Sequence, residues 1–193
     1  MLDDLVRSFA MSGLVITEEL KAIEIQFGIE LGHLARSAVQ SPVEYYPQFE
    51  QEIRSEADGM SRHYEVFYCL ENAIRKLIAE ALAESEGAGW WDGGKIPEPI
   101  VKEVRDRIQR ETDSGVTRRS DASIDYTTLG ELSVIITSNW GLFSTILSSR
   151  RAVERVMSNL NVLRGPIAHC SPLSEDEVLR LGLAVKDWFR MIG

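Results

Sequence analysis

Cysteine is scarce in this 193-residue chain, which has only Cys69 and Cys170. Their placement fits no metal-ligand spacing and makes no disulfide framework. That excludes the disulfide-stapled secreted scaffolds and leaves a reducing cytoplasm as the simplest home. Long apolar runs are missing as well. No stretch reaches the roughly 18 consecutive apolar residues of a transmembrane helix, so no membrane partner is expected. The opening Met1-Leu2-Asp3-Asp4 is acidic where a secretory signal needs positive charge. Positive charge is short overall: 21 Lys and Arg face 30 Asp and Glu, for a net charge of −9. This balance excludes a broad, non-specific basic coat for nucleic acid but leaves room for a small local basic site. Strand-like alternation, internal repeats and low-complexity tracts are not seen either.

What is present is helical periodicity carried by ordinary globular composition, 44% hydrophobic and 26% charged. Thr17 can cap a helix to about residue 38, with Leu20, Ile23, Phe27, Leu31 and Leu34 on one face. Ser41-Pro42 and Tyr46-Pro47 mark a linker. A long helix is expected over about 48–85, then a turn-rich loop over 87–99 holding Trp90 and Trp91. Pro99 suits the first turn of a helix to about Thr112, and a polar, mobile segment is expected over 113–123. Thr128 with Glu131 and Ser174 with Glu177 have the spacing of capping boxes. Asn139 can cap a continuation through Phe143. Ser149 precedes a helix with Val153, Val156, Met157, Leu160 and Leu163 inward, which Gly165-Pro166 is expected to end. A last helix should bury Leu181, Val185, Trp188 and Ile192. The fold class is all-α, a four- to five-helix bundle over 45–193 with an N-terminal helical extension over 1–44.

Three features bear on chemistry. Arg164 and His169 lie five apart across Gly165-Pro166. A permanent cation beside a side chain that titrates near neutral pH suits the handling of a phosphodiester. On a continuous helix the two would diverge by about 140°, whereas a break would let both face one cleft. The alternative is a plain interhelix turn, with Arg164 on the surface and His169 in the core. Second, Glu71 interrupts an apolar face formed by the rows Ile53, Met60, Phe67, Ile74, Ala81 and Ala57, Tyr64, Ile78. A buried carboxylate needs a partner. Arg75 is one turn away, and Arg164 or His169 could reach it across the bundle. Either an internal salt bridge or a support for a site follows. Third, Arg150, Arg151, Arg155 and Arg164 against Glu154 make 148–170 locally +3, either an RNA contact or a solvated helix end. Cys69, among Phe67, Tyr68 and Leu70, reads as a small core residue. His33 and His63 suggest no metal, and Trp90-Trp91 reads as a loop anchor more readily than a base-stacking pair.

The run Leu163-Arg164-Gly165-Pro166-Ile167-Ala168-His169-Cys170-Ser171-Pro172-Leu173-Ser174-Glu175-Asp176-Glu177 resembles the HEPN superfamily, and within it the branch named for the Swt-one RNA endonuclease. Tyr126-Thr127-Thr128-Leu129-Gly130-Glu131-Leu132 and Asn139-Trp140-Gly141-Leu142-Phe143 are similar to that branch too. The likeness covers about 45–192. It implies a helical bundle that commonly dimerises, bringing the Arg and His of two subunits into one composite cleft. It also implies a metal-independent endoribonuclease in a toxin, antiphage or RNA-surveillance setting, with no cofactor and with RNA, a second copy and an antitoxin or effector as partners. Other members are inactive modules that bind RNA, a nucleotide or a protein. Arg164 and His169 match the two motif residues, with Glu71 and Arg75 as supports. The family often has a polar residue directly after the arginine; here it is Gly165.

Overall fold

The computed structural model describes residues 16, 17, 19–27 and 48–192. The chain divides into two compact units, Met1–Gln48 and Phe49–Gly193. In the first unit the described residues are helical, with Glu24 buried and Ile23 and Phe27 exposed. The remainder of the helix expected to residue 38, His33 and the proline-marked linker lie outside the described residues.

The second unit is all helical: α1 (Gln51–Glu86), α2 (Glu98–Asp113), α3 (Leu129–Ser138), the short α4 (Trp140–Phe143), α5 (Arg150–Ala168) and α6 (Glu175–Met191). A 3-10 turn, Ser123–Tyr126, precedes α3. Extended pairing among the described residues is limited to an isolated antiparallel bridge between Leu147 and Ile192. Helix α5 packs against α3 and α6, while α1 packs against α3, α4 and α5. The expected inward residues of α3 and α5 are all buried. They meet Ile74, Ile78 and Leu82 of α1 and Trp188 of α6, which are buried as well. Each such side chain contributes about 1.5–3 kcal/mol on leaving water. No helix among the described residues is long and apolar enough to cross a membrane.

Caps fix where the elements start. Both capping boxes form: Thr128 and Glu131 exchange bonds of 2.7 and 3.3 Å, and Ser174 and Glu177 bonds of 2.9 and 3.4 Å. Ser149 caps α5 through the Ala152 amide. Trp90 and Trp91 meet edge to face at 5.5 Å and pack on the core, so they anchor the 87–97 loop.

Several expectations need correction. Asn139 makes no side-chain cap; its amide donates to the carbonyls of Ile135 and Lys95, tying the tryptophan loop to the end of α3. The segment after α2, expected to be mobile, is tied back by Arg119 to Glu111 and by Ser120 to Asp125. Ile192 is exposed and Met191 is buried in its place, because the chain leaves the helix there to bridge Leu147. The apolar row of α1 is buried only from Phe67 onward, with Ile53, Ala57 and Tyr64 exposed. Cys69 is exposed rather than core.

Gly165-Pro166 does not end α5. The helix runs on to Ala168, with Pro166 inside it. Proline disfavours helical geometry in the preceding residue through contact with that residue's N–H and Cβ, and Gly165 removes the Cβ part of that clash. The stop comes three residues later. Cys170 adopts a left-handed φ of 55°. The Ser171 amide then reaches the Pro166 carbonyl at 2.8 Å and the Cys170 amide reaches Ile167 at 3.4 Å, a Schellman closure with cysteine where glycine is usual.

Candidate functional site

Helix α1 sets a row of polar side chains where it enters the bundle. Tyr64, Tyr68, Glu71 and Arg75 follow at spacings of four, three and four, so they share one face. Opposite stands the C-terminal end of α5, with Arg164, Ile167 and Ala168, and the segment carrying Arg119, Ser120 and Asp125. Together they line a cavity of about 550 Å³.

Glu71 is the centre of this arrangement. Its side chain is 9% exposed and is held by two arginines. Arg75 donates to Oε1 at 2.5 Å and Arg164 donates through Nε to Oε2 at 3.2 Å. Arg75 also reaches the Thr127 carbonyl at 2.9 Å, linking α1 to the residue before the α3 cap. Of the three partners weighed for Glu71, the local Arg75 and the distant Arg164 are bonded to it, and His169 is not. Two guanidiniums compensate the hydration that the carboxylate loses.

The two arginines differ in what they leave over. Arg75 is 15% exposed, and its terminal nitrogen is shared between two acceptors. Arg164 is 40% exposed and spends only Nε on the protein. Its terminal amino groups have no acceptor among the described residues, and Arg164 is one of the residues that line the cavity. A guanidinium oriented from behind with its fork unoccupied is suited to an anion such as a phosphate.

His169 is exposed at the C-cap of α5 and is not among the cavity's lining residues. The continuous helix leaves Arg164 and His169 without the break that would turn them into one cleft, and neither a surface turn nor a core histidine describes the result. Arg150, Arg151 and Arg155 are exposed at the other end of α5, about 13–21 Å along the axis from Arg164. Arg150 pairs with Glu154 at 3.3 Å. No three His, Cys, Asp or Glu side chains among the described residues form a metal-ligand set.

Two further clusters buttress the cavity wall. Arg107 grips Glu131 with two bonds of 2.7 and 2.8 Å and reaches the Tyr126 carbonyl. Burial pushes the Glu131 carboxyl up, but Arg107 and the Thr128 amide outweigh it and hold the group below its ordinary value. Tyr126 donates to Glu111 at 2.7 Å, and with Arg119 it likewise holds that carboxyl low. Arg119 lies over the Tyr126 ring at 4.9 Å. Arg119, Asp125 and the exposed tyrosines were not among the sequence candidates. The four-three-four spacing from Tyr64 to Arg75 was the available signal for the tyrosines; the contribution from 119–125 depends on a loop path that no periodicity encodes.

Fold and site together define a helical bundle of the HEPN type. Residues 65–193 match the family model described as Swt1-like HEPN, and the chain belongs to that family. No curated protein and no solved structure matches it significantly. The family is one of nucleotide-binding and ribonuclease-type modules.

Proposed function

We propose that this protein is a dimeric, metal-independent endoribonuclease in a toxin, antiphage or RNA-surveillance role. The observation that carries the reading is Arg164, fixed through Nε by a buried Glu71, lining an open cavity and bonded to the described residues through no other side-chain atom. In the reaction a ribose 2′-hydroxyl attacks the adjacent phosphorus and the bond to the 5′-oxygen breaks. His169 moves the proton as general base or acid. Arg164 holds the non-bridging oxygens as charge develops on them. The products carry a 2′,3′-cyclic phosphate and a 5′-hydroxyl. No metal is needed to generate the nucleophile, because it belongs to the substrate.

An exposed His169 outside its own subunit's cavity supports a composite site, in which dimerisation brings one subunit's histidine to the other's Arg164. Val162, Leu179 and Leu183 are exposed on α5 and α6, and Val162 and Leu183 border a groove of about 340 Å³ that offers apolar surface to a second copy. Arg150 and Arg151 occupy the first turn of α5, where the helix dipole disfavours cations, and a role in contacting RNA accounts for them there.

The test is cleavage of end-labelled, mixed-sequence RNA in EDTA by the wild type and by His169→Ala. The wild type alone should cut, leaving cyclic-phosphate ends, and DNA of the same sequence should survive. Equal cutting of DNA would refute the mechanism. A folded, dimeric wild type that binds RNA without turnover would instead favour a non-catalytic binding module. Gly165 supports that second reading, since it puts no side chain beside Arg164 to hold a phosphate or orient the histidine.

A further inference from the structure

The cavity has an aromatic side that the phosphate chemistry does not use. Tyr64 and Tyr68 are 62% and 60% exposed, yet both line the same cavity as Arg164. Neither hydroxyl has a hydrogen-bond partner among the described residues, and neither ring belongs to the buried core. Packing therefore does not account for them. Their ring centroids are 6.1 Å apart with planes tilted by 35°.

We infer that Tyr64 and Tyr68 form a stacking platform for the nucleobases of a single-stranded RNA whose phosphate is held by Arg164. This rests on the reading of the cavity as an RNA site and adds to it a residue-level account of how the strand is held. The geometry specifies a platform rather than a clamp. A base inserted between two parallel rings needs about 3.5 Å on each side, roughly 7 Å in all, which is more than the rings allow. A base laid on the outer face of either ring needs no such opening. The two tyrosines sit one turn apart on α1, and Tyr64 lies about 10 Å along the axis from Glu71. At about 3.4 Å per stacked nucleotide, that row accommodates two or three bases beside the Arg164 fork. Aromatic faces accept any base, so the platform favours unpaired strands without fixing a sequence. A duplex keeps its base faces stacked on each other and cannot use it.

The experiment measures fluorescence anisotropy of a labelled single-stranded RNA bound to the 193-residue His169→Ala protein in EDTA, a background in which cleavage does not intrude. Tyr64→Ala and Tyr68→Ala, each checked by circular dichroism for the parent's helix content, should weaken binding about five- to hundredfold. Tyr→Phe at either position should stay within about twofold. Tyr→Leu should behave like Tyr→Ala, because it keeps apolar bulk and loses the stacking face. An RNA with abasic sites throughout should bind the parent and the alanine variants alike. Unchanged affinity in both alanine variants overturns the platform. If Arg164→Ala weakens binding in the same series, the RNA-site reading stands without it. Leucine variants that bind as tightly as tyrosine would make the pair an apolar docking surface and also overturn it. A parent protein that binds no RNA removes the platform and the RNA-site reading together.

Discussion

Glu71 and Arg164 touch each other but should respond to mutation very differently. Glu71→Gln removes the charge between two guanidiniums and leaves Arg75, 15% exposed, without its counter-ion. Breaking a largely buried pair in this way costs about 3 kcal/mol. Arg164→Ala opens no such hole, since Arg164 is 40% exposed and Glu71 keeps Arg75. It should cost less than about 1 kcal/mol. Urea unfolding followed by circular dichroism would measure both, and RNA cleavage should be lost in both. An Arg164→Ala variant as unstable as Glu71→Gln would make the arginine a structural strut rather than a ligand-binding group. Glu71 was legible in the sequence because a carboxylate in an apolar row cannot be buried alone. The position of His169 was not, because it depends on how α5 ends.

At the scale of the element, composition is a poor guide to that end. Glycine followed by proline normally reads as a stop, but here the helix passes through, and the missing Cβ of Gly165 eases part of the pre-proline clash. The actual stop is Cys170 at φ 55°, with Pro172 just beyond it. A left-handed residue with a Cβ costs about 1–2 kcal/mol, partly offset by the greater unfolded freedom of glycine. Cys170→Gly should therefore stabilise the protein by about 0.5 kcal/mol, while Cys170→Ala, which keeps the Cβ, should leave the urea midpoint unchanged. Helix starts were far more legible than this end, since capping boxes are spelled out in four consecutive residues. The box at Thr128 also carries an acid sensitivity. Glu131 has a carboxyl held below its ordinary value of 4.5 in the folded state. The stability it contributes is thus present above that pH and lost as pH falls through the lower, folded value. Glu131→Gln should be less stable at neutral pH by about 2 kcal/mol and should show a smaller decline in stability below pH 4.5.

For the whole molecule, a net charge of −9 has to be reconciled with an RNA ligand. The composite site proposed above would do so by concentrating arginines where two copies meet. Specific activity should accordingly fall on dilution in step with the dimer fraction measured by sedimentation. A fully active monomer would contradict the composite arrangement. The all-helical class was readable from periodicity throughout, whereas the reach of the core was not: α1 continues for four turns before burial begins. The family match opens at residue 65, close to the first buried side chain of α1 at Phe67. Everything before that point in the helix is joined to Glu71 by unbroken backbone hydrogen bonding. Helix α1 is therefore a torsionally stiff shaft. One residue inserted near Gly59 would turn its outer end by about 100° while leaving Glu71 in register, and a seven-residue insertion would nearly restore the original phase.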